Sequence, residues 1–225
     1  RMSEPSAQRQ VLRTVLGLAL LAVAAGLASA LTAPAGFPNL TAAVDGSLEA
    51  SGVDNPVTAV LLNFRGYDTL LELAVLTAAL AGVWSLGGAT PTLALRPSPV
   101  LVALLRVLGP LFPLICGYLL WAGASQPGGA FQAGAVLATS AVLYVLLARE
   151  AGPRLPEMPM RVAAVAGVGV FLAVGLAVMA GGGGFLEYPR GLSKTLILAI
   201  ETAAMISIAV ILAGLFLGGR PRSEP

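Results

Sequence analysis

Residues 107–148 carry no charged side chain. That run is about twice the ~20 residues an α-helix needs to cross the hydrocarbon of a bilayer. Gln126-Pro127-Gly128-Gly129 interrupts it with a turn signal, so it divides into helices near 99–122 and 129–148. Four further apolar runs have the same character: Thr14–Ala33, Leu73–Leu95, Val162–Gly181 and Thr195–Gly219, the last broken only by Glu201. Strand-type alternation is absent, which argues against a membrane barrel. The expected fold is an all-α integral membrane protein with about six transmembrane helices.

Composition narrows the function classes. The chain is 57% hydrophobic and 11% charged, against about 25% charge in soluble domains, so it has too little polar surface to coat a water-facing globule. Thr14–Ala33 is long for the apolar core of a cleaved signal peptide and right for a spanning helix. There is no histidine, and Cys116 is the single cysteine. His-based metal sites, haem ligation, His proton relays and an intrachain disulfide are thereby excluded, and no cofactor is expected. The net charge of +2 has no basic, aromatic-interleaved cluster, so no nucleic-acid partner is expected. No nucleophile–base pairing points to an enzyme.

Orientation follows from the basic residues. Under a six-helix model Arg1, Arg9, Arg13, Arg96, Arg149, Arg154, Arg161, Arg220 and Arg222 share one side. The other side holds Arg190 and Lys194 with acidic Asp45, Glu49, Asp54 and Glu187. This asymmetry predicts that both termini are cytoplasmic, in a multi-pass protein of the cell (inner) membrane.

Helix three carries Pro110 and Pro113, which should bend it. Helix five spaces Gly169, Ala173, Ala177 and Gly181 four apart, a pattern that lets backbones approach closely, inside the chain or against a partner. Gly181–Gly184 reads as a flexible loop, without the context of a phosphate-binding loop.

Charges inside apolar runs are expensive and tend to face protein or water. Arg65, Asp68 and Glu72 stand at the start of helix two. If the segment is helical they share a face, and Arg65 neutralises Asp68 while Glu72 lies deeper. Alternatively Gly66 breaks the helix and leaves Val57–Phe64 as a separate half-helix. Glu201 lies about 10 Å beyond Lys194 along its helix axis, with no basic partner in that helix. It is either protonated hydrogen-bond glue, bonded to another helix or subunit, or placed on a hydrated ion path.

The segment Val57-Thr58-Ala59-Val60-Leu61-Leu62-Asn63-Phe64-Arg65-Gly66-Tyr67-Asp68-Thr69-Leu70-Leu71-Glu72 resembles a signature of Mrp-type multisubunit cation/proton antiporters, found in the C-terminal part of their A subunit and in the E-type (MbhE-like) subunit of related hydrogenases. From about Pro99 the chain resembles the B subunit (MnhB/MrpB) of the same antiporters, through Ser125-Gln126-Pro127-Gly128-Gly129-Ala130-Phe131-Gln132-Ala133-Gly134. The resemblance implies two fused modules, 1–95 and 96–225, joined near 89–98. Gly123-Ala124 stands where the family often has Gly-His, and Ala130 and Ala133 replace glycines. The likeness therefore implies a packing role for the turn residues Pro127, Gly128, Gly129, Phe131 and Gln132. Nothing here is similar to the large, complex I-like subunits that carry the lysine-rich channel.

What the resemblance implies is an accessory membrane subunit of an Mrp-type Na+/H+ antiporter. Its partners would be other membrane subunits, including the large antiporter-like ones, with H+ and Na+ as transported ions in a lipid bilayer. Glu72 and Glu201, with Asp68 and Arg65, are the ion-path candidates. The alternative is a membrane scaffold of a complex I-related redox complex such as an energy-converting hydrogenase. A free-standing transporter is disfavoured, since no inverted repeat with matched broken helices is visible.

Overall fold

The structure, a computed structural model, describes residues 4–32, 39–86, 99–147, 157–189 and 191–217. It divides into two compact units, Arg1–Leu40 and Thr41–Pro225. The first unit contains α1 (Glu4–Thr32), longer at its N-terminus than the apolar run suggested. Its Leu- and Ala-rich composition favours helix.

In the second unit, α2 spans Leu40–Ser51 and α3 spans Pro56–Ala59, followed by a π-helical turn at Val60–Phe64. Then come α4 (Gly66–Ser85), α5 (Pro99–Leu108), α6 (Leu111–Ala122), α7 (Ala130–Leu147), α8 (Glu157–Ala180) and α9 (Ser193–Leu217). Among the described residues there is no strand. Among the described residues, four helices are long and apolar enough to cross a membrane: Gly66–Ser85, Val102–Ala122, Met158–Ala180 and Ser193–Leu217. Arg13–Ser29 and Ala130–Leu146 are apolar but shorter. The end of the second predicted run and the 89–98 junction lie outside the described residues, as do Arg1, Arg96, Arg149, Arg154, Arg190, Arg220 and Arg222.

Helix α9 is the axis of this unit, packed by α7, α8, α4 and α6. Ile197, Ile200, Ala204, Ile208 and Ile211 are buried along it and join Leu73 and Phe171 in the core. Small residues allow the approach. A Cβ on Gly134 of α7 would stand 2.9 Å from Cβ of Ile208, and one on Gly167 of α8 would stand 2.9 Å from Cβ of Ser207. Ser207 Oγ then donates to the Ala164 carbonyl at 2.6 Å. The seam expected at Gly169, Ala173, Ala177 and Gly181 does not form within the chain. Those four residues are exposed, and α8 meets its neighbours through Ala164, Gly167, Phe171 and Gly175. The two stripes have nearly the same spacing and lie on roughly opposite faces, so spacing alone does not choose between them.

The bend in helix three is present: Gly109 and Pro110 separate α5 from α6, and Pro110 caps α6 at φ −67°. Pro113 falls in the first turn of α6, where its missing N–H leaves no intrahelical bond unmade.

Candidate functional site

Helix two begins at Asn55, whose side-chain oxygen accepts from the Val57 N–H at 3.0 Å. Pro56 follows at the first helical position, a standard pairing of cap and pre-set φ. The helix runs only to Phe64. Arg65 donates its N–H to the Val60 carbonyl at 2.7 Å, closing the wide turn, and its backbone sits at φ −128°, ψ 33°. The interruption frees two carbonyls that side chains satisfy. Thr69 Oγ1 donates to Leu61 O at 2.6 Å, and Tyr188 Oη donates to Leu62 O at 2.9 Å. Of the two readings of this segment, the broken helix is the observed one, with the break at Arg65 and α4 starting at Gly66.

Arg65 pairs with Asp68 at 2.5 Å, both side chains being more than half exposed at 70% and 52%. Glu72 stands one turn further along α4, exposed on its outer side. It also lines a cavity of about 240 Å3, large enough to admit water. Thr58, Leu62 and Thr69 form the wall beside it, Phe171 and Ala204 a second, and Gly128, Gly129, Phe131 and Gln132 a third. Glu201 lines the same cavity and is only 4% exposed.

The turn and Glu201 form one unit. Gly123 and Gly129 both donate to the Leu119 carbonyl, at 3.2 and 2.8 Å, which folds the chain sharply between α6 and α7. Gly129 has φ 101°, and a Cβ there would lie 2.8 Å from Glu201 Oε1. Only glycine tolerates both the angle and the contact. The carboxyl consequently sits beside the start of α7, close to the Ala130 backbone. Free N–H groups at a helix start favour a negative charge, while burial disfavours one. Glu201 thus packs against the start of another helix.

Gly128, Gly129, Phe131 and Gln132 of the turn motif, which sequence reasoning treated as packing, also line the cavity beside a buried carboxyl. Arg65 and Asp68 make their pair outside this cavity's lining. Sequence reasoning assigned no role to Asn55, Thr58 or Thr69, although Asn55-Pro56 is a legible helix start. No cluster of metal-ligating residues occurs among the described residues.

Residues 100–218 match the family described as "Domain related to MnhB subunit of Na+/H+ antiporter". The chain belongs to this MnhB-related family. The matched stretch contains Glu201 and the turn around it, whereas Thr58, Thr69 and Glu72 lie outside it. Two solved structures share the fold of this MnhB-family chain. One is a chain of the Mrp complex from Dietzia sp. DQ12-45-1b, with a TM-score of 0.65 and 24% identity, matched over 97% of the present chain and 27% of that one. The present chain therefore spans about a quarter of that polypeptide. The other belongs to the membrane-bound sulfane sulfur reductase, an archaeal respiratory membrane complex, with a TM-score of 0.65 and 26% identity over 92% of this chain and 97% of that one. No curated relative matches the chain. Its apolar helices and its family make it a multi-pass membrane protein.

Proposed function

We propose that this chain is a non-enzymatic accessory subunit of an Mrp-type multisubunit Na+/H+ antiporter, or of a complex built on the same module. In this reading it crosses the cell membrane six times with both termini cytoplasmic, and other membrane subunits, large antiporter-like ones among them, are its partners. Segments 1–95 and 96–225 act as its two modules. The observation that carries the reading is the shared cavity: Glu72 from the first and Glu201 from the second line one space. Two carboxyls with hydroxyls and room for water between them can pass a proton or hold a monovalent cation. Glu72 lies at the exposed edge of α4, so a partner subunit continues the path from there.

Transport by the intact complex in vesicles tests it. Glu201→Gln keeps shape and hydrogen bonding but cannot change protonation state. Loss of cation/proton exchange in a fully assembled complex is the expected result. Undiminished exchange would falsify the proton-carrying role.

One observation favours a second reading. The chain is similar along nearly all of a subunit of a respiratory complex, the sulfane sulfur reductase. As a scaffold in a redox complex the same cavity would couple to electron transfer elsewhere. Co-purification separates the two readings, because iron–sulfur subunits accompany the chain only in the second.

A further inference from the structure

The wall that holds Glu201 is itself held from the other module. Asn55 is 7% exposed and Thr58 is 5% exposed. Asn55 Nδ2 donates to the carbonyls of Gly123 at 3.0 Å and Gln126 at 2.8 Å. Thr58 Oγ1 donates to the same Gly123 carbonyl at 2.5 Å. In the same direction the Ala124 carbonyl accepts from the backbone N–H groups of Asp54 and Asn55, both at 3.1 Å. All five carbonyl-directed bonds from Asp54, Asn55 and Thr58 end on residues 123–126. A few residues later comes Gly129, in van der Waals reach of the Glu201 carboxyl.

A two-glycine turn does not hold itself against one carboxyl, because glycine loses the most conformational freedom on ordering. External bonds to its preceding carbonyls supply that order. We infer that Asn55 and Thr58 are positioning residues for Glu201: they clamp the 123–126 turn and thereby hold the start of α7 against the carboxyl. The clamp joins the half-helix that opens helix two to the carboxyl of α9 without touching it. Glu72 is the other titratable side chain lining the cavity, and Thr58 faces the same space.

The inference rests on the reading of Glu201 as the path carboxyl, and infrared spectroscopy separates the two. The probe is the set of Glu201 carboxyl bands in the purified complex, assigned by their loss in Glu201→Gln. Thr58→Val removes a hydroxyl and keeps the shape. Asn55→Ser keeps a side-chain cap for Val57 but cannot reach both turn carbonyls. In assembled complexes both variants are expected to move the Glu201 bands, and Thr58→Ser, which restores the donor, to return them. Thr58→Val carries the test alone if Asn55→Ser does not assemble, since Asn55 still bonds Gly123 there. Unmoved bands in an assembled Thr58→Val complex overturn the clamp. Moved bands restored by Thr58→Ser uphold it even where Glu201→Gln transports normally, in which case only the proton-carrying reading falls.

Discussion

Gly129 sets the start of α7 against the Glu201 carboxyl, where a Cβ on residue 129 would lie 2.8 Å from Oε1, so the turn before one helix abuts a carboxyl buried in another. Gly129 makes this possible by turning at φ 101° and presenting no side chain. The two residues that looked most out of place, a glutamate in an apolar helix and a glycine-rich turn in an apolar run, account for each other.

Gly129→Ala should therefore weaken the protein twice. The left-handed conformation costs an L-residue about 1–2 kcal/mol, and the new methyl meets Glu201 Oε1 at 2.8 Å. Gly182→Ala isolates the first effect, because Gly182 has φ 94° with nothing within 4 Å. Thermal unfolding of the complex should show a larger drop for Gly129→Ala than for Gly182→Ala. Equal drops would mean that the Glu201 contact yields freely.

Tyr188 offers a test outside the spanning segments. Burial pushes its phenol above the ordinary value of 10.0, so the folded state keeps a proton that the unfolded state releases. The sign follows: this stabilisation is complete below about pH 10 and is lost as pH climbs beyond it. Tyr188→Phe removes the bond to Leu62 O. It should cost about 1–3 kcal/mol near neutral pH, since a buried carbonyl loses its donor. It should also flatten the alkaline fall in melting temperature. A variant that melts like the parent at every pH would show that the carbonyl is otherwise satisfied.

Much of the helical layout was legible because apolar runs are long and local: α6, α7, α8 and α9 all coincide with runs read directly from residues 99–219. Helix α2 was not. Leu40–Ser51 is short and carries Asp45 and Glu49, so it has no membrane signature. Both Glu201 and the Pro127–Gln132 turn stood out, but their contact joins residues some seventy positions apart, and spacing on one helix says nothing about that. Gly134 and Gly169 show the same limit. Both are helical glycines, yet only the first meets a neighbour.

That difference is measurable. Gly134→Ala forces a methyl to 2.9 Å from Ile208 and 3.0 Å from the Met205 carbonyl. Overpacking of this kind costs about 1–3 kcal/mol. Gly169→Ala meets open space and should gain up to about 1 kcal/mol from helix propensity. Melting of the complex should fall for the first and hold or rise for the second. A fall for Gly169→Ala would place a partner helix against the outer stripe of α8.

Orientation can be read with an impermeant thiol reagent. Cys116, the single native cysteine, is 3% exposed and supplies little background. Ser47 is exposed on α2. Ser47→Cys should react from outside intact cells, and Ala151→Cys should react only after the membrane is opened. The reverse pattern would invert the proposed topology.

The shared cavity makes the sharpest prediction for transport. If Glu72 and Glu201 serve one path, replacing either with glutamine blocks the same flow. The double variant should then lose little more than the worse single one. If they serve separate paths, or only one matters, the losses in log rate should add or one variant should be silent. Non-additivity is expected for residues that act through one network and fails for independent sites. Glu72 shares a helix face with Asp68, which pairs with Arg65, so neutralising it can disturb assembly. Complex yield must be measured beside exchange in vesicles for each variant. With yields equal, a double variant whose loss equals the product of the two single losses would separate the carboxyls into independent roles, despite the space they line together.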